Sequence, residues 1–439
     1  MPRLLLFAST TGYQVRVFAD AARRLGIDLA LATDCCHLLD DPWGDDAIPV
    51  RFHKPRESAA AVAAEGPFDG IVAVGDRPPL VAAEPAALLG IPYHPPAAVR
   101  ACHDKYLARQ LYRAAGLPVP PFFRAPITDD AHELARRAPY PCVLKPLTLS
   151  ASRGVIRAND PAEFVAAFDR IRALLLSPEV VVTREEQNRY LAVESFIPGR
   201  EFALEGLVTA GRLETLALFD KPDPLDGPFF EETIYVTPSS QTLQVQQSLI
   251  AAAERAVSAL GLTHGPVHAE MRHNEEGAWI LEIAARPIGG LCARALRFDG
   301  GTPLEELIIR HALGEQMPSP RLDGPASGAM MIPIPRAGIY QEASGVDRAA
   351  QVAGIEEVII TAKQGQKLVP LPEGASYLGF IFARDETPAD VERALREAHR
   401  CLDFRIATAL ETLSPSSSAG RSREEAPPLP QKSTAPSAR

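Results

Sequence analysis

The stretch Gly265–Gly290, GPVHAEMRHNEEGAWILEIAARPIGG, constrains this chain more than any other. It reads as two strands joined by a turn at Asn274-Glu275-Glu276-Gly277. On the first strand Val267, Ala269 and Met271 alternate with His268, Glu270 and Arg272. On the second, Trp279, Leu281 and Ile283 alternate with Ile280, Glu282 and Ala284. Folding the hairpin about Glu276 sets Glu270 opposite Glu282 on one face. Facing carboxylates repel and cost stability unless a cation sits between them. Mg²⁺ (or Mn²⁺) suits that place, because such hard ions are held by one or two carboxylates together with substrate phosphates. Arg286 follows four residues after Glu282, and Gly289-Gly290 lets backbone approach a ligand closely. The competing reading is a surface hairpin whose two glutamates are simply solvated.

Composition narrows the class. At 439 residues the length suits two or three domains, and 46% hydrophobic with 23% charged residues supports a normal globular core. A net charge of −10 argues against nucleic acid as a main partner. No apolar run approaches the roughly 20 residues of a membrane span, and MPRLLLFAST reads as a first strand, with too short an apolar region for a signal peptide. The six cysteines lack CxxC spacing, so the expectation is a reduced, cytoplasmic protein, with Cys35-Cys36-His37 read as buried thiols near a strand end and not as a metal site.

Along the chain, strands are expected at Leu4–Ala8, Leu29–Ala32 and Gly70–Val74, with a helix over Gln14–Leu25, which together imply a parallel, Rossmann-like sheet. The first turn, Ser9-Thr10-Thr11-Gly12, lacks the GxGxxG that brings backbone against a pyrophosphate, so a nicotinamide site is excluded. One helix is expected over Ala98–Ala115, carrying Asp104-Lys105 and Arg109. The strand Pro141–Lys145 runs into Lys145-Pro146-Leu147-Thr148-Leu149-Ser150-Ala151-Ser152-Arg153-Gly154-Val155. A lysine at a strand end before a small-residue loop suits phosphate, although Ser-rich turns are also common without one. Leu191–Gly206 begins as a strand, bends at Pro198-Gly199 and resumes, and Glu194 precedes Ser195-Phe196-Ile197, a wall for a purine. Arg212–Phe219 extends the sheet, and Ser248–Leu260 is an amphipathic core helix. Residues from about 316 to 410 form a smaller α+β region, and 413–439 is expected to be disordered.

Together these pieces resemble the ATP-grasp superfamily of carboxylate–amine ligases, nearest to L-amino-acid ligases of the bacilysin-synthetase type and to biotin-carboxylase-like relatives. The order Asp104-Lys105, Lys145-Pro146, Ser150–Val155, Glu194…Glu201, Glu270…Glu282 and Arg286 carries the likeness over nearly the whole chain. The resemblance implies an α/β ATP-grasp fold: a Rossmann-like domain over 1–99, an ATP-grasp core over 100–315 with a lid at about 138–198, and a C-terminal lobe over 316–412. It further implies that Lys105 and Lys145 contact ATP, that Ser150, Ser152, Arg153 and Gly154 cover its phosphates, and that Glu194, Ser195, Phe196 and Ile197 receive the adenine. By the same likeness Glu201 binds the ribose, Glu270 and Glu282 bind the metal, and Arg286 holds the acyl group. His268 and Glu205 share that face. His268 is either a substrate contact or an ordinary hydrogen-bonded strand histidine. The implied activity is ADP-forming ligation of a carboxylate, as in amino-acid ligases, to an amine, both small molecules, in a cytoplasmic and by default dimeric enzyme. A purine-biosynthesis-type or biotin-carboxylase-like enzyme and a catalytically silent ATP-binding protein stand as alternatives. Two features depart from the family pattern: Ala284 stands where many members carry Asn, and the phosphate loop is poorer in glycine.

Overall fold

A computed structural model of the chain describes residues 1–9, 13–34 and 47–408. Cys35-Cys36-His37, the turn residues Thr10-Thr11-Gly12 and the tail from 413 lie outside them. Apolar runs make the buried strands Arg3–Ala8 and Gly70–Val74, with Asp28–Thr33 beside them. These pair in parallel, in the order Ile48–Pro49, Asp28–Thr33, Arg3–Ala8, Gly70–Val74. The helix Tyr13–Leu25 supplies the expected crossover.

The single helix expected over Ala98–Ala115 is instead two, Pro96–His103 and Lys105–Ala114. Asp104 stands between them in extended conformation (φ −110°, ψ 103°), and its carboxylate accepts the N–H groups of Tyr106 and Leu107. An aspartate competes for exactly such free N–H groups, so it starts a helix more readily than it continues one. The break leaves Lys105 at the head of the second helix, where its N–H donates to Leu147 O at 3.1 Å.

Two larger antiparallel sheets form most of the rest of the frame. The smaller runs Phe122–Pro126, Tyr190–Ser195, Cys142–Pro146, Ile156–Ala158, with the helices Ala131–Arg137 and Pro161–Leu175 packed on it. The larger has eight strands: Gly277–Ala284, Gly265–Asn274, Arg200–Thr209, Arg212–Lys221, Ile234–Thr237, Ala326–Ile332, Gly379–Asp385 and Ile355–Ile360. The C-terminal lobe thus has a core of its own, adds three strands to this sheet and builds a separate three-stranded sheet from Lys367–Leu368, Gly338–Ser344 and Asp403–Ala407. The bend at Pro198-Gly199 is where the chain leaves the small sheet for the large one. Only glycine fits there: φ is +119°, and a Cβ would lie 2.3 Å from the carbonyl oxygen of His273.

The helix Leu243–Leu260 buries Leu249, Ala253, Ala256, Val257 and Leu260 against the back of the hairpin, the face its periodicity predicts. Among the described residues no helix is long and apolar enough to cross a membrane. Cys102, Cys142, Cys292 and Cys401 are free thiols.

The hairpin is anchored at its start by His94. Its Nδ1 accepts the N–H groups of Thr263 (3.2 Å) and His264 (3.3 Å), so its proton sits on Nε2, 3.3 Å from Pro266 O. Gly265 lies against this ring, where a Cβ would come within 3.0 Å of Nε2. Burial pushes the His94 pKa down to about 3. A histidine depressed in the fold contributes stability that is present above its unfolded value near 6.5 and is lost as pH falls below it, by up to about 1.4 kcal/mol per pH unit. The melting temperature should therefore fall between pH 6.5 and pH 5. His94→Gln should melt lower at pH 7 but show a flatter profile across that window, and an equal slope in both proteins would locate the protonation elsewhere.

Candidate active site

The two antiparallel sheets face each other across a cleft lined from both sides. Alternation along the strands of the large sheet aims Glu201, His268, Glu270 and Arg272 into it. Glu270 pairs in register with Glu282, as the hairpin pattern requires. A bulge follows at once, since the next partner of Met271 is Ile280. Leu281 is the extra residue, and it changes the alternation expected for this strand. The core face is Ala278, Ile280, Ile283 and Ala285, while Leu281, Glu282 and Ala284 all border the cleft.

Every carboxylate in this region has a cation brought by another element. Glu194 of the small sheet accepts Arg109 Nε at 2.8 Å and Nη2 at 3.2 Å and also pairs with Lys145. Burial alone would raise Glu194, but the two cations outweigh it and hold its carboxyl at about 2. Burial pushes Lys145 down to about 8 against the pull of Glu194. Arg109 also donates to Ile280 O at 2.8 Å, so one guanidinium ties the helix Lys105–Ala114, the small sheet and the hairpin.

A second cluster centres on Lys221 Nζ, which lies 2.9 Å from Glu201, 2.9 Å from Glu232 and 3.8 Å from Glu270. Arg272 Nε holds the other oxygen of Glu201 at 3.0 Å. Burial disfavours the Lys221 ammonium, yet the three carboxylates keep its pKa well above normal. Burial and Glu270 push Glu232 up to about 7. Glu201, Glu232 and Glu270 offer oxygens all within 4.8 Å of one another, the one such group of metal-binding type among the described residues. Nearby, Glu205 accepts from His268 Nδ1 (3.0 Å) and from the N–H of Ile288 (3.1 Å). Despite burial, Glu205 and Glu270 raise the His268 pKa to about 9, so the imidazole is cationic. Lys105 Nζ reaches Glu282 at 3.0 Å and Leu149 O at 2.9 Å.

Of the expected site residues, Lys105, Lys145, Ser150, Ser152, Glu194, Ser195, Phe196, Ile197, Glu201, His268, Glu270, Glu282 and Arg286 all border this one cleft. Arg153 and Gly154 do not. Arg153 turns outward to Glu179 and to the carbonyl of Glu373 (2.6 Å), and Gly154 packs on Pro146 with its N–H on Pro372 O at 2.7 Å. Ala151 and Val155 border the cleft in their stead, with Ala151 and Ser152 both left-handed (φ 52° and 54°). Glu205 lies behind His268, fully buried, and orients that ring without reaching the cleft. At the apolar end Phe196 stacks with Phe230 at 6.4 Å, with Arg157 over Phe196 at 4.1 Å. Sequence reading passes over Lys221, Glu232, Phe230 and Asp76, which sit at strand ends or in loops with no local pattern. Arg109 and Arg272 had a signal: four residues from Lys105 on a helix, and two from Glu270 on a strand.

Comparison with known proteins accounts for this architecture. Residues 138–295 match the ATP-grasp domain model, and 330–407 match L-amino acid ligase C-terminal domain 2. The crystal structure of an L-amino acid ligase from Bacillus licheniformis superposes with a TM-score of 0.79, covering 93% of this chain and 99% of that one at 24% identity. Residues 138–295 thus form an ATP-grasp domain, and the chain as a whole takes the fold of that structure. Curated relatives include an uncharacterized protein of Sinorhizobium fredii, 24% identical over 72% of this chain and 64% of its own length. An ATP-grasp enzyme of Aspergillus fumigatus is 25% identical over 72% of this chain and 62% of its own. The match thus spans just under two thirds of these relatives. An ATP-grasp fold is a nucleotide-binding one, and the loop after the strand Cys142–Pro146 borders this cleft through Ser150, Ala151, Ser152 and Val155.

Replacing Lys221 by Met should leave Glu201, Glu232 and Glu270 without their shared cation. Removing one partner of a buried pair costs about 3–5 kcal/mol, which thermal unfolding will show as a large drop in melting temperature. Added Mg²⁺ should restore more of that drop in the variant than it adds to the parent protein, because three clustered carboxylates then need a cation.

Proposed function

We propose that the chain is an ATP-dependent, ADP-forming ligase that joins a carboxylate, an amino acid in the reading we favour, to an amine through an acyl phosphate. The observation that carries this is the polarity of one continuous cleft. Aromatic and apolar walls stand at one end, and the other gathers Glu270, Glu282, Lys105, His268 and Arg286. In this reading Phe196, Phe230 and Ile197 enclose the adenine, backbone groups of Ser195 to Ile197 bond its edge, and Glu201 meets the ribose. Lys105 and Lys145 neutralise the phosphates beneath the Ser150–Val155 loop. Phosphate also supplies Lys145 with an anion that opposes the depression caused by burial.

Glu270 and Glu282 fit a divalent ion: both offer hard oxygen donors, and each side chain is about a quarter exposed, at 26% and 28%. Such an ion, Mg²⁺ or Mn²⁺, when bound would add charge neutralisation on the transferring phosphoryl group. The substrate carboxylate attacks the γ-phosphate, ADP leaves, and the amine displaces phosphate from the acyl phosphate. Arg286 stabilises the oxyanion of that second step, and cationic His268 adds positive charge on the same side. Lid closure keeps water from the acyl phosphate. The L-amino acid ligase C-terminal domain and the whole-chain likeness to the Bacillus structure support an amino acid as donor. Absence of a membrane-crossing helix among the described residues and the free thiols are compatible with the cytoplasmic location we propose.

ADP and phosphate should be released only when a carboxylate and an amine are both supplied, which a phosphate-release screen of amino-acid pairs measures directly. AMP and pyrophosphate as products would overturn the reading. Glu282→Gln should lower kcat by roughly 100-fold or more, the scale of several kcal/mol of charge stabilisation, with circular dichroism unchanged.

A further inference from the structure

The loop 150–155 turns its residues two ways. Ser150, Ala151, Ser152 and Val155 border the cleft, whereas Arg153 and Gly154 face the C-terminal lobe. The N–H of Arg153 closes a turn on Ser150 O at 3.1 Å, and both central residues, Ala151 and Ser152, are left-handed (φ 52° and 54°). Glycine takes that geometry freely, but a side chain at both places makes it costly, and it persists only where neighbours impose it. Lys105 secures the entry to the loop, at Leu149 O (2.9 Å). Its exit is held by residues 370–374, between the strands Lys367–Leu368 and Gly379–Asp385. There Pro372 O accepts the N–H of Gly154 at 2.7 Å, and Glu373 O accepts Arg153 Nε at 2.6 Å. The Glu373 carboxylate pairs through both oxygens with Arg170 of the helix Pro161–Leu175, with Nη2 at 2.9 Å. Gly374 shapes this turn: its N–H meets Pro370 O at 2.9 Å, and a Cβ there would overlap the carbonyl of Val369. One turn of the C-terminal lobe thus grips both the loop and a helix packed on the small sheet.

Arg170 and Glu373 lie outside the cleft lining, and their side chains are 44% and 36% exposed. An ion pair so exposed adds little stability, so its effect is on geometry. We propose that residues 372 and 373 are a latch that keeps loop 150–155 in its covering turn, with Glu373 as the positioning residue. The inference rests on the ligase reading, in which an acyl phosphate waits for the amine. Water arriving first would bond its oxygen to the acyl carbon and break the bond from that carbon to the phosphate oxygen. Carboxylate, inorganic phosphate and a proton would result, and ATP would be spent without an amide. A latched loop withholds that water. Because the covering turn is not the loop's own preference, coupling of ATP use to amide formation depends on the C-terminal lobe.

The test uses Glu373→Ala, Arg170→Gln and the double variant beside wild type. Calorimetry with the magnesium salt of AMPPNP, and with adenosine, reads the latch without turnover. A ligand that needs the latched loop binds in proportion to the latched fraction. The AMPPNP dissociation constant should therefore rise about fivefold in each single variant, while that of adenosine, which offers the loop no phosphate, stays within about twofold. The double variant should be no weaker than either single one, because the pair acts as a unit. On a carboxylate and amine that wild type joins with about one ADP per amide, each variant should release about two ADP or more per amide. Equal losses for AMPPNP and adenosine, additive losses, or no loss would each overturn the latch, and an unchanged ADP-to-amide ratio would overturn its role against water. Failure of wild type to join any carboxylate and amine would sink the ligase reading, while the AMPPNP comparison would still decide whether the loop is latched.

Discussion

A carboxylate taken out of water needs a cation, and the whole cleft is organised by that requirement. Glu194 is met by Arg109 from the helix Lys105–Ala114 and by Lys145 from the neighbouring strand. Glu201 is met by Lys221 and Arg272 from two different strands, and Arg286 is met by Asp76 from the end of the parallel sheet. Each pair joins elements far apart in the chain, so the charges that would handle a nucleotide also fix how the sheets face each other. Ion pairs of this kind add little net stability against well-packed apolar groups, but breaking one is costly, which makes them instruments of geometry.

The same balance gives the cleft its chemical direction. His268 is kept cationic by Glu205 behind it and Glu270 beside it, and Lys221 is locked among three carboxylates. Lys145 is the exception, buried and only partly compensated, with a pKa near 8. It is the lysine whose charge stands to gain most from an incoming phosphate, whereas Lys221 is already satisfied and acts as part of the wall.

What could be read from sequence follows the range of the forces involved. Period-two alternation placed Glu270 against Glu282 and put His268 and Arg272 on the same face, and period 3.6 found the buried side of Leu243–Leu260. These patterns are local. The bulge at Leu281, the helix break at Asp104 and the outward turn of Arg153 depend on which neighbour wins a hydrogen bond or an ion pair. Lys221, Glu232 and Asp76 come together only when strands distant in sequence are adjacent, so no spacing rule announces them. The smaller C-terminal region was legible as strands and a helix, but its membership of the eight-stranded sheet was not.

The crossing at Pro198-Gly199 gives the molecule a mechanical property. Asn274 Nδ2 bonds Pro198 O at 3.1 Å and Gly199 is pressed on His273 O, so the covalent joint between the sheets is riveted to the tip of the hairpin. The segment Ser195 to Ile197, which lines the cleft, runs straight into that rivet, so a ligand pressing on this segment would load the joint between the two sheets.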